Sequence, residues 1–544
     1  MIGYTCKYTP VELLKAFGAE PVLMNGEADN FDYAQNKVHM NMCSHIKAFL
    51  ENVNRDGLKE LIMVNCCDSV RRACDVLRDQ MDFIFIMDLP HNDNNCARSH
   101  LADELMRLAD EYGRYSGRTF DKTAFDAAFS FEKREKAEEY IGVMGARIGD
   151  GLYEKLQEMI PLKVEDFTCN SNRRMAEKVP DLEFRALMEW YAAELLGQLP
   201  CMRMSDASKR RELTEDPNLK GIIYHTVKFC DYYGFEYEQL RRRSDLPMLK
   251  IETDFTMQSL GQLSTRIGGF MESMGIGEKK MTVKSGKYFA GIDSGSTTTN
   301  VAVLDLNGNL VDSAIVRTGA RAQQGAEKAF SSLNIPRKEI ALIVATGYGR
   351  KNITIADSSI TEITCHARGA FHINRDVRTI IDIGGQDSKA ISLDRDGNVK
   401  NFAMNDKCAA GTGRFLENMA KVLETDLDGM STIGLDWSED ITISSMCTVF
   451  AESEVVSLIA DNKQIGDIVH GLNKSVASKT LALVNRVGGE SRYMMTGGGA
   501  RNRGVVQCIE DQLGEKIFVP EIPDLCGAIG AALFALDAAC KQEE

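Results

Sequence analysis

The residues best suited to chemistry in this sequence lie in the stretch 381–416, where a glycine turn precedes a cysteine. A predicted strand runs into the turn 384–385, and the backbone N–H groups of such a turn can bind phosphate. Asp382 and Asp387 flank the turn, and a carboxylate beside a phosphate is typical of a Mg²⁺ ligand or a water-positioning group. Cys408 lies in a loop of small residues before a predicted helix, which favours a thiolate that acts as a nucleophile or a metal ligand. The stretch therefore predicts nucleotide binding coupled to thiolate chemistry.

Two further glycine turns follow predicted strands in the same half of the sequence. The stretch 288–308 predicts a β-hairpin with Asp293 at its turn, and 494–504 predicts a strand that runs into three glycines. Three such turns in this order resemble the acetate kinase, sugar kinase, Hsp70 and actin superfamily, in which the first two turns grip phosphates and the third packs against adenosine. The residues expected to bind ATP are Gly295, Ser296, Thr297, Thr298, Gly384, Gly385, Gln386, Gly497, Gly498, Gly499 and Asn502. Asp293 and Asp382 are the expected Mg²⁺ ligands, and glycines that only shape hairpins are the alternative.

A second cysteine, Cys447, stands thirty-nine residues beyond Cys408 and also leads into an amphipathic helix. Two thiolates cannot complete a four-thiolate iron–sulfur site, but a two-fold dimer would bring four together on its symmetry axis. Four helix N-termini would then face a cluster whose net charge is negative, which is electrostatically favourable. The alternative is that both thiols pack as small apolar groups.

Nine cysteines lie before residue 231, and six of them follow predicted strands or precede helical stretches. Those are the positions where open α/β sheets place ligands and where thiolates are stabilised. The six predicted ligands of an N-terminal cluster are Cys6, Cys43, Cys67, Cys169, Cys201 and Cys230. Divided at the middle they give three per subdomain, which suits a cubane with one iron open for a bridge or a substrate. Cys66 can take the place of Cys67, and scattered core cysteines are the alternative.

The elements that position these residues alternate between strands and helices. The alternation predicts an α/β protein with two doubly wound, Rossmann-like subdomains, at 1–140 and 141–274. A polar, glycine-bearing stretch without periodicity, 275–287, predicts a linker. The remainder, 288–544, predicts an acetate kinase/Hsp70/actin-like ATPase domain.

Composition limits the classes of partner and the cellular compartment that fit this chain. Its 544 residues are too many for one hydrophobic core, and the net charge of −15 argues against nucleic acid or an anionic membrane as a partner. We find no apolar run long enough to span a bilayer, and the first residues do not resemble a signal peptide. Fifteen cysteines without an export signal predict a reducing compartment, such as the cytoplasm.

Residues 288–537 resemble the activator ATPases of 2-hydroxyacyl-CoA dehydratases and their relatives in benzoyl-CoA reductases. The matching motifs are GIDSGSTTT, ATGYGR, TEITCHARGA, DIGGQDSK, NDKCAAGTGRFLE, CTVFAESEV, TGGGARN and CGAIGAA. The resemblance implies a homodimer with one [4Fe–4S] cluster held by Cys408 and Cys447 of both protomers. It further implies ATP and Mg²⁺ as cofactors, catalytic roles for Asp293, Glu362 and Asp387, and hydrolysis that drives an electron out at very low potential.

The N-terminal half resembles the catalytic subunits of the same dehydratase family. The motifs are TCKYTPVELLKAFGAEP, CSHIKAF, NCCDSVRR, GIIYHTVKFCD and LKIETDFTMQSLGQLSTRIGGFME. Six cysteines instead of three make it more similar to the double-cubane cluster proteins, in which two [4Fe–4S] units joined by a sulfide form an [8Fe–9S] cluster. In both groups the ATPase is usually a separate chain, whereas here the two are fused.

Together these features predict an ATP-driven, one-electron reductase in which the C-terminal half reduces an N-terminal iron–sulfur centre. The expected partners are a second copy of the chain, a low-potential donor such as ferredoxin or flavodoxin, and a small-molecule substrate. A 2-hydroxyacyl-CoA dehydratase with a built-in activator is the first alternative, and a non-catalytic ATPase that delivers a cluster is the second.

Overall fold

The structure, a computed structural model, describes residues 1–129, 138–170, 173–176, 178–206, 208–256, 263–277, 281–405, 410–443 and 448–543. The chain divides into two compact units, Met1–Ile267 and Gly268–Glu544.

The first unit contains two parallel sheets of four strands each. The first sheet has the order β2-β1-β3-β4 and the second β6-β5-β7-β8, so both share one strand order. The strands are β1 (Ile2–Tyr4), β2 (Pro21–Leu23), β3 (Glu60–Val64), β4 (Phe83–Met87), β5 (Tyr140–Gly145), β6 (Lys163–Asp166), β7 (Leu219–Val227) and β8 (Met248–Thr253). Central strands such as β5 are buried along their whole length, because helices cover both faces of each sheet.

Eleven helices accompany these strands among the described residues. They are α1 (Val11–Ala16), α2 (Asp32–Gln35), α3 (Ser44–Arg55), α4 (Asp68–Leu77), α5 (Asn95–Ser116), α6 (Lys122–Ala127), α7 (Asp150–Met159), α8 (Phe184–Leu196), α9 (Ser208–Glu212), α10 (Asp231–Arg243) and α11 (Leu263–Ser273). The boundary between the two units falls within α11, whereas the linker that the sequence predicts, 275–287, follows this helix. In each sheet the strand order reverses beside the first strand, which opens a crevice at the carboxyl edge.

The second unit repeats one sheet pattern twice. The orders β11-β10-β9-β12-β13 and β16-β15-β14-β17 both place three antiparallel strands beside a parallel one. The strands are β9 (Tyr288–Ser294), β10 (Thr298–Leu304), β11 (Leu310–Arg317), β12 (Ile340–Thr346), β13 (Ser358–Ser359), β14 (Thr379–Ile383), β15 (Ser388–Leu393), β16 (Val399–Asn405) and β17 (Tyr493–Thr496). The helices are α12 (Ala322–Ser331), α13 (Glu362–Ile373), α14 (Gly413–Val422), α15 (Leu427–Ile433), α16 (Thr448–Ala460), α17 (Ile465–Val487), α18 (Arg503–Leu513) and α19 (Cys526–Glu543). The predicted fold class is confirmed: two doubly wound α/β subdomains precede a domain with the duplicated sheet of the actin-like fold.

The last helix, α19, packs between β9 and α13 at unusually short range. A Cβ on Gly291 would lie 1.9 Å from the carbonyl oxygen of Ala528, so the strand and the helix approach closely only because Gly291 has no side chain. By length and composition the segment Pro523–Lys541 could cross a membrane, which differs from the expectation that no run is long and apolar enough. Of the 18 residues of this segment that pass the test, 61% are buried within the unit, because its small apolar residues fill the core between β9 and α13.

Candidate functional site

Two of the predicted phosphate-binding turns face each other in the second unit. Gly295 N–H donates to the Thr298 carbonyl at 2.9 Å and closes the turn between β9 and β10. Gly384 N–H donates to the Asp387 carbonyl at 2.9 Å and closes the turn between β14 and β15. A Cβ on Gly385 would lie 2.1 Å from Thr297 Oγ1, so the two turns meet where glycine leaves room. Their free backbone and hydroxyl donors form one polar surface suited to phosphate oxygens.

The third turn follows β17, which lies parallel to β14 and therefore ends at the same sheet edge. Gly497 has a φ of 77°, and a Cβ there would lie 2.7 Å from Asp382 Oδ1. A residue with a side chain would be strained and would also collide with this carboxylate. Asn502 accepts a hydrogen bond from Val505 N–H at 3.0 Å and caps α18, so its side chain shapes the end of this turn.

The two predicted metal-binding aspartates lie on opposite sides of one buried histidine. His366 Nε2 is 3.6 Å from Asp293 Oδ2, and His366 Nδ1 is 3.6 Å from Asp382 Oδ1. Burial alone lowers the pKa of His366, but Asp382 and Asp293 outweigh it, and the pKa lies well above its usual value. The imidazole thus lies between a carboxylate of one sheet and a carboxylate of the other.

Lys389, which extends from β15, contacts the remaining predicted carboxylates. Its Nζ lies 2.8 Å from Asp387, 3.1 Å from Asp382 and 3.6 Å from Glu362. Burial lowers the pKa of Lys389, but these carboxylates raise it well above its usual value. Burial raises the pKa of Asp382, but His366 and Lys389 lower it to about 2. Burial raises the pKa of Glu362, and Lys389 only partly opposes the rise.

Sequence reasoning missed both cations of this network. Lys389 carries a signal, because it is a charged residue within a strand whose six residues are all buried. His366 lies on a helix that also carries Glu362, and its partners come from distant strands, so spacing alone does not reveal them.

The turn 384–385 is also hydrogen-bonded to the start of α14. Gly413 N–H donates to the Gly384 carbonyl and Arg414 N–H to the Gly385 carbonyl, both at 2.9 Å. Ser388 Oγ donates to the Gly411 carbonyl at 2.6 Å. The phosphate turn thus holds the helix that follows the predicted cluster loop. The two predicted bridging ligands, Cys408 and Cys447, lie outside the described residues.

The first unit contains a cavity of about 240 Å³ at the carboxyl edges of its two sheets. Seven cysteines line it: Cys6, Cys43, Cys66, Cys67, Cys169, Cys201 and Cys230. All six predicted ligands are among them, together with Cys66, which the sequence offered as a replacement for Cys67. Cys74 is buried in α4 and Cys96 is exposed, and neither lines the cavity.

The thiols of the two predicted subdomains interact with one another across the two sheets. Cys43 and Cys230 interact electrostatically, although they belong to different halves of the unit. Burial raises the pKa of Cys6 to about 11, with smaller contributions from Cys201 and Cys169. Both sheets turn their carboxyl edges toward the same cavity, so neighbours are set by the cavity and not by the subdomain.

The cavity is spread out and bears positive side chains. Among the described residues no three imidazole, thiol or carboxylate groups converge on a single-ion site, so the thiols surround the space instead of gathering at one point. Arg147 is 4% exposed and donates to the Met24 carbonyl at 3.2 Å, and Arg203 stacks on Tyr232 at 4.6 Å. Both guanidinium groups interact electrostatically with the thiols, and Asp68 is the one carboxylate in the described lining. The chemistry of this lining fits a large, anionic, sulfur-ligated group.

Comparison with known proteins assigns both units. Residues 290–535 match the BadF/BadG/BcrA/BcrD ATPase family, and residues 6–141 and 135–274 match the 2-hydroxyglutaryl-CoA dehydratase D-component. The 2-hydroxyisocaproyl-CoA dehydratase activator of Clostridioides difficile is 44% identical over 260 residues, which cover 47% of this chain and 98% of that protein. The activator of lactoyl-CoA dehydratase of Anaerotignum propionicum is 46% identical over 258 residues, which cover 47% of this chain and all of that protein. A solved structure of the Clostridium difficile activator with bound ADPNP is 45% identical, with a TM-score of 0.45, and covers 47% of this chain and 97% of that one.

Proposed function

This chain belongs to the BadF/BadG/BcrA/BcrD ATPase family and joins such an ATPase to a dehydratase component, and we propose that it is an ATP-driven iron–sulfur reductase. Its C-terminal unit would hydrolyse ATP and pass low-potential electrons to an N-terminal iron–sulfur centre, which reduces a small molecule. The electrons would come from a protein donor such as reduced ferredoxin or flavodoxin, in the cytoplasm of an anaerobe.

The observation that carries this proposal is the cavity lined by seven cysteines. One four-iron cluster uses at most four thiolates, so the lining offers ligands for two. Arg147 and Arg203 supply positive charge beside these thiols, which stabilises thiolates and an anionic group. A double-cubane [8Fe–9S] cluster is the group we assign to the cavity, and when bound it would supply one-electron chemistry.

The nucleotide turns provide the residues for Mg²⁺ and ATP. Asp382 already accepts from Thr496 Oγ1 at 3.0 Å and from Lys389 Nζ at 3.1 Å, so both of its oxygens have protein donors. Asp293 has only the more distant His366 as an ionic partner among the described residues. We therefore assign Asp293 as the direct Mg²⁺ ligand and Asp382 as a ligand through water. Asp387, held by Lys389, lies beside the phosphate turn and would orient the attacking water.

The contacts between the phosphate turn and α14 supply a route from hydrolysis to electron transfer. Gly413 and Arg414 donate to the turn 384–385, so a change in that turn moves the helix that follows Cys408. Lowering the reduction potential at which one electron is delivered by about 0.3 V requires about 7 kcal/mol, at about 1.4 kcal/mol per 59 mV. A conformational change driven by nucleotide hydrolysis is of the right order to supply this free energy.

The surface of α16 supports the proposed homodimer. Phe450, Val456 and Ile459 are 68%, 52% and 42% exposed on this helix, which begins directly after Cys447. Val456 and Ile459 lie one turn apart, and Phe450 lies in the first turn of the helix, so apolar side chains are exposed on more than one face of α16 and favour an interaction surface there. A second copy would cover them and bring Cys408 and Cys447 of both protomers to one [4Fe–4S] cluster.

A second candidate function is a 2-hydroxyacyl-CoA dehydratase with a built-in activator. The match of residues 6–274 to a dehydratase D-component favours it. A dehydratase needs one electron that returns after each cycle, whereas a reductase consumes electrons with every turnover.

Anaerobic purification followed by iron and sulfide counting and by a reductant assay separates these functions. We expect about eight irons in the N-terminal half. We also expect ATP-dependent consumption of dithionite-reduced donor in proportion to a small substrate such as hydrazine. About four irons there, with dehydration of a 2-hydroxyacyl-CoA at catalytic amounts of reductant, would favour the dehydratase. Transfer of iron to an apo-acceptor without ATP-dependent reductant consumption would favour the cluster-delivery ATPase.

A further inference from the structure

One glutamate near the end of α11 is hydrogen-bonded to the first turn of α13. The Glu272 carboxylate accepts from Thr361 N–H at 3.0 and 3.1 Å, from the Thr361 hydroxyl, and from the Thr364 hydroxyl at 2.6 Å. This contact lies within the second compact unit, because that unit begins at Gly268. A single carboxylate therefore holds both the backbone and the hydroxyl groups with which α13 begins.

Glu272 supplies a helix cap that α13 lacks in its own sequence. Thr361 is the N-cap residue of α13, but among the described residues its side chain caps no backbone N–H group of that helix. In a capping box, a glutamate or glutamine at the third helical position accepts from the N–H of the N-cap residue. α13 has Thr364 at that position, and the carboxylate comes from α11 instead. Its negative charge also lies at the positive end of the α13 dipole, which stabilises the start of the helix.

Two consecutive glycines bring α11 close enough for this contact. A Cβ on Gly268 would lie 2.9 Å from Thr361 Cγ2, which is shorter than a normal van der Waals contact, and one on Gly269 would lie 3.4 Å from Ile363 Cβ. Glycine in the interior of a helix is destabilising, so two in succession need a reason in packing. The close approach to the start of α13 is that reason at Gly268.

The helix that Glu272 caps carries two groups of the nucleotide site. Glu362 is the first residue of α13, and its carboxylate lies 3.6 Å from Lys389 Nζ. His366 follows one turn later and lies 3.6 Å from each of the two predicted metal-binding aspartates. Because one turn of helix is a rigid element, the position of its start sets the position of both side chains. The cap therefore acts on the nucleotide site through the helix.

The segment that provides Glu272 lies outside the ATPase match. The match to the dehydratase D-component extends to residue 274, and the match to the ATPase family begins at residue 290. We propose that Glu272 is a positioning residue for ATP hydrolysis that the dehydratase-like component contributes: it fixes the start of α13 and thereby holds Glu362 and His366 at the nucleotide site. This inference rests on the proposed function, because it takes the second unit to hydrolyse ATP.

Steady-state ATP hydrolysis by the full-length protein and its single variants tests the inference. In Glu272→Ala we expect kcat to fall by about tenfold or more, because groups that are displaced from their positions lose rate on this scale. The KM for ATP should change little, since other elements build the phosphate turns. Glu272→Gln keeps an oxygen that accepts from Thr361 N–H and is expected to restore most of the rate.

The matched control is Asp426→Ala, which also removes a carboxylate cap in the second unit. Asp426 accepts from Gly429 N–H at 2.7 Å and caps α15, a helix that carries none of the predicted site residues. This variant should hydrolyse ATP at the wild-type rate. Equal losses of kcat in Glu272→Ala and Asp426→Ala would overturn the inference, because they would indicate general destabilisation of the unit.

Two further outcomes of the Glu272→Ala measurement would overturn the inference: a wild-type kcat, and a raised KM at unchanged kcat. Should this variant fail to fold, Thr364→Val replaces it, because it removes one hydroxyl that donates to Glu272. A lower kcat at unchanged KM in Thr364→Val supports the inference, and wild-type kinetics overturn it. Wild-type protein that does not hydrolyse ATP would instead contradict the proposed function itself.

Discussion

Replacing Lys389 by methionine is expected to destabilise the ATPase unit strongly. Methionine keeps the length and apolar stem of lysine but removes the ammonium group that lies 2.8–3.6 Å from three carboxylates. The side chains of Lys389 and Asp382 are both 4% exposed, so water cannot compensate the charge that remains. His366 would be the one cation left beside these carboxylates among the described ion pairs.

The expected loss is about 3–5 kcal/mol, the usual cost of removing one partner from a buried ion pair. The pKa of Asp382 gives an independent scale: its fall from 3.8 to about 2 is worth about 2 kcal/mol, and Lys389 is one of its two cationic partners. Because the folded pKa of Asp382 is depressed, this stability is present above pH 3.8 and is lost as the pH falls toward 2. In Lys389→Met the carboxylates bind protons more tightly when folded, so the destabilisation should shrink as the pH is lowered from about 8 to about 5.

Urea unfolding followed by tryptophan fluorescence measures the loss of stability in the ATPase unit specifically. The chain has two tryptophans, and a Trp190→Phe background leaves Trp437, which stacks on His470 at 4.1 Å, as the reporter of the ATPase unit. The matched control is Lys400→Met, because Lys400 forms an exposed pair with Glu490 at 3.0 Å and should lose at most about 1 kcal/mol. Equal losses in Lys389→Met and Lys400→Met would refute the reasoning.

Three further predictions follow from the nucleotide site and the proposed dimer. Asp293→Asn should abolish ATP hydrolysis while nucleotide binding measured by calorimetry persists, because an amide holds Mg²⁺ poorly. The control is Asp305→Asn, in a hairpin turn, which should hydrolyse ATP at the wild-type rate. A wild-type rate of hydrolysis in Asp293→Asn would contradict the assignment of Asp293 as the Mg²⁺ ligand. Cys408→Ser and Cys447→Ser should each remove about four irons per dimer, and unchanged iron content in both would exclude the bridging cluster. Phe450→Asp should shift the dimer toward monomer in sedimentation, because a charge replaces an apolar contact; an unchanged dimer would place the interface elsewhere.

The fold was readable from the sequence because its elements are bounded by strong local signals. The buried runs at 60–64 and 82–89 became β3 and β4, and the hairpin at 288–308 became β9 and β10. The short β1 and β2 were not predicted, because three-residue strands give too little periodicity to recognise. Their pairing depends on β3, which is distant in the sequence.

The sequence predicts which residues form the candidate site, but it does not predict which of them contact one another. Cys67 and Cys230 could be placed at strand ends, yet the interaction between Cys43 and Cys230 joins two halves of the unit and has no local signal in the sequence. Lys389 and His366 likewise became recognisable only when distant strands brought carboxylates to them. A sequence pattern gives the position of a residue along its helix or strand, but it does not give the contacts of that residue with other elements.

The ATPase site also suggests why nucleotide state should reach both of its sheets at once. His366 lies between Asp293 on β9 and Asp382 on β14. A cation that binds one of these carboxylates would therefore change the ion pair that His366 forms with the other. Asp382 shares Lys389 with Asp387, which closes the turn that holds Gly413 at the start of α14. Charge lost or gained at the phosphates is therefore felt along a continuous chain of ion pairs and hydrogen bonds. That chain ends at the helix following Cys408, which is where the electron transfer proposed above would require it to end.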